Sequence, residues 1–410
     1  MTKRTARRDL RRPVLSMIAL LGLPVLVVLP AGQAAATLEA PGAAPSSPLP
    51  ARPRNCRAAP SWVDATPDST ASPAPGLVVR TWSGPGRDRV PLRVVAAQAD
   101  TVRFSLSVAV APRFGSVLDT TALVDRSGAT FGVNGDYFES AAAGAVPRGV
   151  EVQHGVVLFG PAGTTKAVGV GTDGALHAGY VRSTGSVVVT GAGPAQQLPV
   201  TSVNTASPSS GIAVQTAYGS AQPRRGAWFV RVHSGVVVSS SSRDPGRITG
   251  SDLLLLAPPA QRAALAKVAV GAHIEVRTEV RGADGVALTD AVGSSAPILT
   301  RSAIVVACTG DYGTGWRPRT VVAWDNRRAQ VWLITINAMS RGASGTGVRG
   351  VTYGEAADLA RQLGATDAVL LDGGHSTTAA LRGGGGVHRI DAPATAGMRP
   401  VPDAVVLAPS

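Results

Sequence analysis

The chain has 410 residues, enough for one large domain or two ordinary ones with a sizeable hydrophobic core. It contains 48 Gly and 30 Pro but few aromatic residues, a composition that favours many short strands and turns over long helices. The formal charge is +13, yet no dense basic run interleaved with aromatic residues follows the first 36 residues, so we expect no nucleic-acid partner. Association with acidic polymers of a cell envelope is compatible with this charge.

The first 36 residues are typical of an export signal. A basic stretch with six Lys and Arg side chains precedes the apolar run Val14–Leu29, and Ala34–Ala36 offers a cleavage site with small residues. The run of about 16 residues is short for a membrane-spanning helix. We therefore predict a signal peptide and a secreted or extracellular, envelope-facing protein, with an uncleaved membrane anchor as the alternative.

A segment rich in Pro, Ala and Ser, Thr37–Gly76, has no apolar periodicity and is interpreted as a linker or stalk, so the folded part is expected to begin near Leu77. The two cysteines are Cys56 in this segment and Cys308 deep in the chain. An exported protein permits a disulfide, but the spacing does not show whether these two pair. Two isolated cysteines with scattered histidines do not form a zinc pattern, and no metal is expected.

The first part of the predicted domain consists of strands. The stretch Leu77–Val110 alternates and is rich in Val, and a short helix is predicted over Val117–Arg126. A further strand in Ala129–Phe138 ends on the turn dipeptide Asn134-Gly135 and is followed by Asp136. This end is either a plain hairpin turn or a strand end that presents Asn134 and Asp136 to a cleft.

The middle of the chain continues with strands. The dipeptides His154-Gly155 and Asp173-Gly174 are turn signals between strands. Residues 190–300 contain one probable helix, Pro258–Val268, and no dense polar cluster. We interpret this part as a β-rich insertion that shapes the rim of a site.

The C-terminal third contains clear boundary signals. A strand opens on Arg319-Thr320, and a final strand has Arg399 at its head. Thr352 and Glu355 have the spacing of a capping box, which predicts a helix that runs through Leu363 and ends on Gly364.

A glycine pattern in this third imitates a dinucleotide site. Gly345–Gly350 matches G-x-G-x-x-G between a strand and a helix. The strand ends near Asn337, about seven residues too early for the required tight turn, and the capping box starts the helix only after the third glycine. We therefore expect no nucleotide cofactor, and no other cofactor is indicated.

The densest group of polar side chains follows a short apolar strand, Ala368–Leu371, which ends on Asp372. A buried strand that stops on a carboxylate and a glycine turn exposes side chains and backbone N–H groups at its end. The alternative is that Asp372 only caps the turn. The residues that follow are Gly373, Gly374, His375, Ser376, Thr377 and Thr378.

Several motifs together resemble the phosphodiester glycosidases, the family that includes N-acetylglucosamine-1-phosphodiester α-N-acetylglucosaminidase, the uncovering enzyme. The resemblance extends from about Leu77 to the C-terminus, and its most specific part is the aspartate-diglycine motif before the Ser-Thr run. The motifs are G-V-N-G-D-Y-F at 132–138, P-R-T at 318–320, the helix at 352–363, L-L-D-G-G-H-S-T-T at 370–378 and R-P-V-P-D-A-V-V at 399–406.

The resemblance implies an exported hydrolase that cleaves the glycosidic bond of a sugar-1-phosphodiester of the N-acetylglucosamine type in envelope or extracellular glycopolymers such as exopolysaccharide. Free sugar would leave and a phosphomonoester would remain. The expected fold is α+β, a single β-rich catalytic domain over residues 77–410 with few helices packed on a mixed sheet.

For this reaction Asp372 and Asp136 are the candidate catalytic carboxylates, because an oxocarbenium-like sugar needs a negative partner and water needs activation. Arg319 and Arg399 are the candidate phosphate contacts, since guanidinium groups bind oxyanions in a bidentate manner. The amides that follow Gly373 and Gly374 are expected to form an anion nest. The remaining candidate substrate contacts are Asn134, Thr320, His375, Ser376 and Thr377.

Two positions depart from the family pattern. His375 stands where the family usually has a third glycine, and Asp136 stands where many members have glycine. A larger, titratable group at position 375 would narrow the site or contact substrate. Two other functions stay open: an envelope-polysaccharide binding module without catalysis, and a glycoside hydrolase acting on a phosphate-free polymer.

Overall fold

The fold is known for most of the chain after residue 49. The computed structural model describes residues 50–410 except 87–89, 142–143, 192, 206–210, 220–223, 225, 307, 309–314, 340–349 and 392–396. The predicted signal peptide lies outside these residues, and so does all of the G-x-G-x-x-G stretch except Gly350. Among the residues described, no helix is both long and apolar enough to cross a membrane.

Strands make up most of the described structure, as the composition predicts. In the first half they are β1 (Ser69–Ala74), β2 (Leu77–Pro85), β3 (Pro91–Asp100), β4 (Phe104–Val110), β5 (Phe131–Asn134), β6 (Phe138–Ala141), β7 (Gly144–Pro147), β8 (Glu151–Gln153), β9 (Val156–Phe159), β10 (Thr164–Gly171), β11 (Leu176–Thr190), β12 (Gln196–Val203) and β13 (Ile212–Gln215). In the second half they are β14 (Trp228–His233), β15 (Val236–Ser241), β16 (Leu253–Ala257), β17 (His273–Gly282), β18 (Leu288–Gly293), β19 (Pro297–Thr300), β20 (Ala303–Ile304), β21 (Arg319–Asp325), β22 (Gln330–Ala338), β23 (Asp367–Leu370), β24 (Ala379–Gly383), β25 (Gly386–Arg389) and β26 (Asp403–Pro409).

These strands form three sheets and a two-stranded ribbon, β6-β7. The first sheet has the order β1-β2-β3-β22-β21-β23-β19-β20, the second β12-β13-β16-β14-β15-β17-β11-β10-β18-β8-β9, and the third β25-β24-β5-β26-β4. Neighbouring strands are antiparallel throughout the first and third sheets, and β12–β13 is a parallel pair in the second. The predicted β-rich fold with few helices is confirmed, but the sheet beneath the capped helix is antiparallel rather than mixed.

The first sheet is buried on both faces, which explains the apolar runs of its central strands. In β22, Trp332 and Ile334 point into one core and Val331 and Leu333 into the other. The second of these cores lies between the first and third sheets and includes Phe131 of β5. Side chains alternate between the faces of a strand, so a strand covered on both faces is apolar at consecutive positions.

Three short α-helices occur in the described residues: α1 (Thr120–Ser127), α2 (Arg262–Ala266) and α3 (Tyr353–Gln362). Helix α1 covers the outer face of the third sheet, and α3 covers the outer face of the first. The predicted capping box is present, because the Thr352 N–H donates to Glu355 Oε2 at 2.8 Å and the Glu355 N–H donates to Thr352 Oγ1 at 3.2 Å. Glu355 is therefore a structural residue of α3.

The folded part begins earlier than predicted. Cys56 and Cys308 form a disulfide with their Cα atoms 5.0 Å apart, and Cys56 and Val63 are buried in the core against α3. The Ala59 N–H donates to Asp358 Oδ2 at 2.9 Å. The linker interpretation is wrong for the end of Thr37–Gly76, because the partners that hold this segment lie some 250 to 300 residues away and leave no local pattern.

The second sheet begins at Glu151, well before the predicted insertion at 190–300, and ends at Gly293. Its far part has its own core around Val187, Val230 and Leu255. Its near edge packs on β4, where Ser107 Oγ donates to Asp290 Oδ1 at 2.5 Å. The middle of the chain is thus β-rich as expected, and its near edge is tied to the third sheet.

Candidate active site

The predicted site residues gather where the first and third sheets end. Strand β23 leads to Asp372 beside the start of its neighbour β21, and β5 ends on Asn134 beside the start of β26 at Asp403. Antiparallel pairing puts the end of one strand next to the start of the other. Four chain segments that are distant in sequence therefore meet at one edge.

Asn134 joins these segments through its side chain. Its Nδ2 donates to the Asp372 carbonyl at 2.7 Å, and its Oδ1 accepts from Thr320 Oγ1 at 2.7 Å and from the Thr378 N–H at 3.2 Å. Asn134 and Thr320 are fully buried. Their predicted role as substrate contacts is not supported by this geometry, because their polar atoms are used to hold the strand ends together.

The dipeptide Asn134-Gly135 is a strand end and not a hairpin turn. Strand β5 pairs with β24 and β26, whereas β6 pairs with β7. The carbonyl of Gly135 accepts the Asp372 N–H at 3.0 Å, and the Gly135 N–H donates to the Asp403 carbonyl at 3.0 Å. Gly135 thus connects the backbones of Asp372 and Asp403.

Asp372 is the carboxylate that reaches the surface of this edge, with 16% of its side chain exposed. Its Oδ2 accepts from Ser376 Oγ at 2.6 Å, its Oδ1 accepts from the Gly373 N–H at 2.9 Å, and Arg399 Nη1 lies 3.7 Å from Oδ2. Burial raises the pKa of Asp372 above its ordinary value, while the Ser376 hydrogen bond and the Arg399 charge oppose that rise. The result is a partly dehydrated carboxylate with the solvent-facing guanidinium group of Arg399 beside it.

The glycine turn after Asp372 uses one of the two amides that were predicted to form an anion nest, the N–H of Gly374. The Gly374 N–H donates to the Pro318 carbonyl at 3.0 Å, and the Gly373 N–H is taken by Asp372. Gly374 has φ +64°, and a Cβ at Gly373 would lie 2.7 Å from the Pro318 oxygen. The close approach of the Pro318 loop requires a glycine at position 373, and the positive φ favours one at position 374. The amides of both glycines are directed to the chain itself.

The residues after the turn differ in access. His375 is exposed at the rim, whereas Ser376 and Thr377 are buried. Ser376 Oγ also accepts from Arg399 Nη1 at 3.1 Å, so it links the arginine to Asp372. The Thr377 carbonyl accepts from Asn337 Nδ2 at 3.3 Å. Ser376 therefore holds Asp372 and Arg399 in place, and His375 lies where it can meet a ligand.

The two predicted phosphate contacts have different environments. Arg399 is 44% exposed and its guanidinium lies 4.3 Å from the centroid of the Phe138 ring. Arg319 is only 7% exposed, donates to the carbonyls of Val351 and Gly315 at 3.1 and 2.7 Å, and stacks on Tyr353 at 4.3 Å. Arg399 can contact an incoming anion, whereas Arg319 acts from within the wall as a fixed positive charge.

A third arginine near Asp372 was missed in the sequence. Arg148 is 63% exposed, pairs with Glu139 at 2.8 Å, and lowers the pKa of Asp372 through its charge. Its N–H donates to the Tyr137 carbonyl at 2.8 Å, which ties it to the ribbon that carries Phe138. Arg148 follows the short strand β7, and its position in the sequence has no distinctive spacing from the other site residues. The sequence therefore gives no signal for it.

Asp136 is not placed as a catalytic carboxylate. It is 2% exposed, and its Oδ2 accepts from the Gly149 N–H at 2.6 Å. A Cβ at Gly293 would lie 2.2 Å from Asp136 Oδ2, so the β18 backbone closes over it. The aspartate follows the strand end as predicted, but its side chain turns inward, where the Gly149 N–H and the Asp403 carboxyl group surround it.

Two further buried carboxyl groups surround Asp136, and sequence reasoning did not select them. Glu151 and Asp403 are both fully buried, and Asp403 Oδ1 accepts the Asp136 N–H at 2.6 Å. Burial raises the pKa of Asp136, Glu151 and Asp403, that of Asp403 to about 6. Asp403 stands in the C-terminal motif R-P-V-P-D, which was the available signal, whereas Glu151 has no such marker.

A buried ion pair supports the site from below. Arg389 Nε donates to Asp391 Oδ1 at 2.9 Å, and Asn337 Nδ2 donates to Asp391 Oδ2 at 2.7 Å. The Ala379 N–H also donates to Asp391 Oδ1 at 2.9 Å. Among the residues in the described ranges, no group of three or more His, Cys, Asp or Glu is arranged to hold a metal ion.

Comparison with known families agrees with the motifs. Residues 225–408 match the model of the phosphodiester glycosidase family. The match includes Asp372, Arg319 and Arg399 but leaves out the segment around Asn134 and Asp136. The predicted resemblance is confirmed. No curated protein matches the chain.

Solved structures share the fold at low sequence identity. A hypothetical protein from Synechocystis superposes with a TM-score of 0.64 at 19% identity, covering 84% of this chain, which spans 64% of that one. A putative exported protein from Burkholderia pseudomallei K96243 gives a TM-score of 0.56 at 19% identity, with 78% of this chain and 74% of that one covered. The catalytic domain of zebrafish N-acetylglucosamine-1-phosphodiester α-N-acetylglucosaminidase, auto-inhibited by its pro-peptide, gives 0.43 at 11% identity over 84% and 87% of the two chains.

Proposed function

We propose that this protein is an exported hydrolase that cleaves the bond between the anomeric carbon and the phosphate oxygen of a sugar-1-phosphodiester. The substrate class is an N-acetylglucosamine-type unit in an envelope or extracellular glycopolymer. The observation that carries the proposal is Asp372, a partly buried carboxylate held by Ser376 at 2.6 Å with the exposed Arg399 beside it at 3.7 Å. The family match over the same residues supports it.

The reaction needs one carboxylate at the anomeric carbon more than it needs a general acid. A phosphate leaving group departs as a stable anion, so little protonation is required, while the oxocarbenium-like sugar gains positive charge. Asp372 accepts two hydrogen bonds, from Ser376 and from the Gly373 N–H, which favour its ionised form. In this form it stabilises the developing charge and can accept a proton from the attacking water.

Arg399 and Arg148 are the proposed contacts for the departing phosphate. Both are solvent-exposed, and both act electrostatically on Asp372 from the side of the β6-β7 ribbon. A guanidinium group binds phosphate oxygens in a bidentate manner and stays charged at all relevant pH values. Glu139 holds Arg148 in the unbound state, at 2.8 Å. Arg319 supplies fixed positive charge in the wall without direct contact.

Export is part of the same proposal. The basic and apolar N-terminal segment is typical of a signal peptide, and a disulfide joins Cys56 to Cys308. Disulfides persist in oxidising compartments, outside the cytosol. Fractionation of cells that express the full chain tests this part: we expect the protein, shortened near Ala36, outside the cytoplasmic membrane, and a full-length cytosolic protein would contradict it.

The decisive assay compares a sugar-1-phosphodiester with the matching neutral glycoside. We expect the purified protein to release sugar from the phosphodiester at a much higher kcat/KM, and Asp372→Asn to abolish release while the unfolding midpoint changes little. Asp68→Asn, which alters an exposed aspartate far from the site in sequence, is the matched control and keeps activity. Full activity of Asp372→Asn would refute the assignment.

The other outcomes identify the competing functions. Equal cleavage of both substrates indicates a glycoside hydrolase whose natural polymer need not contain phosphate. Retention on isolated cell wall without any sugar release indicates a binding module. Collapse of the fold in Asp372→Asn indicates that Asp372 only caps the glycine turn.

A further inference from the structure

Glu151 and Asp403 form a buried carboxyl pair that the proposed reaction does not use. Glu151 comes from β8 in the second sheet, and Asp403 opens β26 in the third. Both are fully buried, and each carboxyl group affects the pKa of the other. Glu151 Oε1 and Asp403 Oδ2 are buried and have no hydrogen-bond partner among the described residues. Two carboxyl groups can share a hydrogen bond only if one of them carries a proton.

The outer oxygens of the pair hold fixed partners. Tyr218 Oη donates to Glu151 Oε2 at 3.1 Å, and the Asp136 N–H donates to Asp403 Oδ1 at 2.6 Å. A proton shared between Glu151 Oε1 and Asp403 Oδ2 would complete a chain of hydrogen bonds from Tyr218 to the backbone of Asp136. This chain crosses from the second sheet to the strand end beneath the site.

A short backbone path leads from the pair to Asp372. The Gly135 N–H donates to the Asp403 carbonyl at 3.0 Å, and the Gly135 carbonyl accepts the Asp372 N–H at 3.0 Å. A Cβ at Gly135 would lie 1.8 Å from Asp403 Oδ1, so the Asp403 side chain rests directly on this backbone. A displacement of the Asp403 carboxyl group would be transmitted to Gly135 and from there to Asp372.

We infer that Glu151 is a positioning residue of the site, which through a proton shared with Asp403 fixes the Gly135–Asp136 backbone and with it the Asp372 carboxylate. This inference deepens the proposed function and rests on it for the activity measurement alone. The titratable neighbours of the pair are Asp136, Tyr218 and Asp372. When the shared proton is lost, two buried negative charges repel each other and the support of Asp136 is weakened.

Substitution of Glu151 by glutamine or alanine distinguishes a positioning role of Glu151 in the site from a purely structural role. In Glu151→Gln the amide donates to Asp403 and its oxygen accepts from Tyr218, so the chain of hydrogen bonds survives without a shared proton. In Glu151→Ala the chain is broken. Glu275→Gln on the exposed part of β17 is the control.

The first readout is hydrogen exchange of the Asp136 and Asp372 amides, which does not depend on activity. We expect faster exchange of both in Glu151→Ala and wild-type protection in Glu151→Gln. At high pH, exchange at the Asp136 amide should rise beyond its intrinsic pH dependence in the wild type but not in Glu151→Gln. Identical pH profiles of the wild type and Glu151→Gln would overturn the inference, even if Glu151→Ala fails to fold.

The second readout is kcat/KM for the sugar-1-phosphodiester. A displaced catalytic group typically costs about 10- to 100-fold, so we expect a loss of this size in Glu151→Ala and little loss in Glu151→Gln. A folded Glu151→Ala with wild-type activity and exchange would also overturn the inference. A wild-type protein that cleaves no phosphodiester refutes the proposed function instead, and the exchange measurement still decides the role of Glu151.

Discussion

At the scale of single residues, two aspartates that both follow a strand end have opposite environments. Asp372 keeps part of its side chain exposed and has Arg399 beside it, whereas Asp136 is enclosed by Gly149 and Gly293. Burial raises the pKa of both, but only the exposed one can meet a substrate. For the proposed reaction, access to solvent therefore distinguishes the two aspartates better than the shifted pKa does.

Removal of the Arg399 charge should shift the acidic side of the pH profile of kcat/KM. In the proposed reaction Asp372 acts as a carboxylate, so activity should fall as pH drops through its pKa, and the charge of Arg399 lowers that pKa. We expect Arg399→Gln to shift the acid limb of kcat/KM to higher pH and to lower its plateau about tenfold or more through the lost phosphate contact. The pH profile of kcat/KM measures both effects.

The control for Arg399→Gln is Arg103→Gln, which removes an exposed arginine at 61% side-chain exposure from the loop before β4. Arg103→Gln should leave both the acid limb and the plateau of the kcat/KM profile unchanged. An unshifted limb in Arg399→Gln would show that the group titrating in the profile is not Asp372.

At the scale of elements, strong local signals predicted the structure well. The capping box begins α3 at Tyr353, and the apolar run before Asp372 forms β23, because each depends on neighbours within a few residues. Asn134 was selected correctly as a strand end, yet its hydrogen bonds to Thr320 and Asp372 span about 190 and 240 residues. The sequence indicates which residues end strands, but it does not show which way their side chains turn.

The same limit applies to the glycine turn after Asp372. A diglycine next to a carboxylate suggests free amides, but the Pro318 loop approaches so closely that its carbonyl takes the Gly374 N–H. Glu151 lies in an ordinary strand and becomes important only because the second sheet packs on β4. Contacts between sheets decide these roles, and such contacts have no local signature in the chain.

The close approach of β18 to Asp136 gives a prediction for that strand. A Cβ at Gly293 would lie 2.2 to 2.4 Å from three atoms of the Asp136 carboxyl group. We expect Gly293→Ala to lower the free energy of unfolding by about 1–3 kcal/mol, the usual cost of overpacking, and to reduce kcat/KM by moving the Asp136 loop. Denaturant unfolding and the phosphodiester assay measure these effects.

Gly384→Ala provides the comparison, because no atom lies within 4 Å of the added Cβ. It should change neither stability nor activity appreciably. If Gly293→Ala were as stable and as active as Gly384→Ala, the residues around Asp136 would accommodate the added methyl group. Close packing at Asp136 would then not be needed for activity.

At the scale of the whole molecule, one covalent bond closes the chain. The Cys56–Cys308 disulfide spans 252 residues and holds the N-terminal segment against α3, where Gly354 approaches Cys308 Sγ. We expect the double variant Cys56→Ser, Cys308→Ser to lose about 2–5 kcal/mol of stability. Unfolding with and without reductant tests this: reductant should destabilise the wild type and leave the double variant unchanged, and a wild type insensitive to reductant would contradict the prediction.

The buried carboxyl groups between the second and third sheets should also make stability depend on pH. The pKa of Asp403 is about 6 in the folded protein against 3.8 for the free side chain, so the folded state holds a proton that the unfolded state releases earlier. This contribution to stability is fully present below pH 3.8 and is lost as pH rises through about 6. A shift of this size corresponds to about 3 kcal/mol.

Comparison of the wild type with Asp403→Asn isolates this effect from the other titrating groups. The asparagine keeps an acceptor for the Asp136 N–H and offers an amide to Glu151, but it cannot titrate. Between pH 4 and 7 the free energy of unfolding should therefore fall more steeply with rising pH in the wild type than in the variant. Parallel curves would mean that Asp403 ionises at its ordinary pKa in the folded protein.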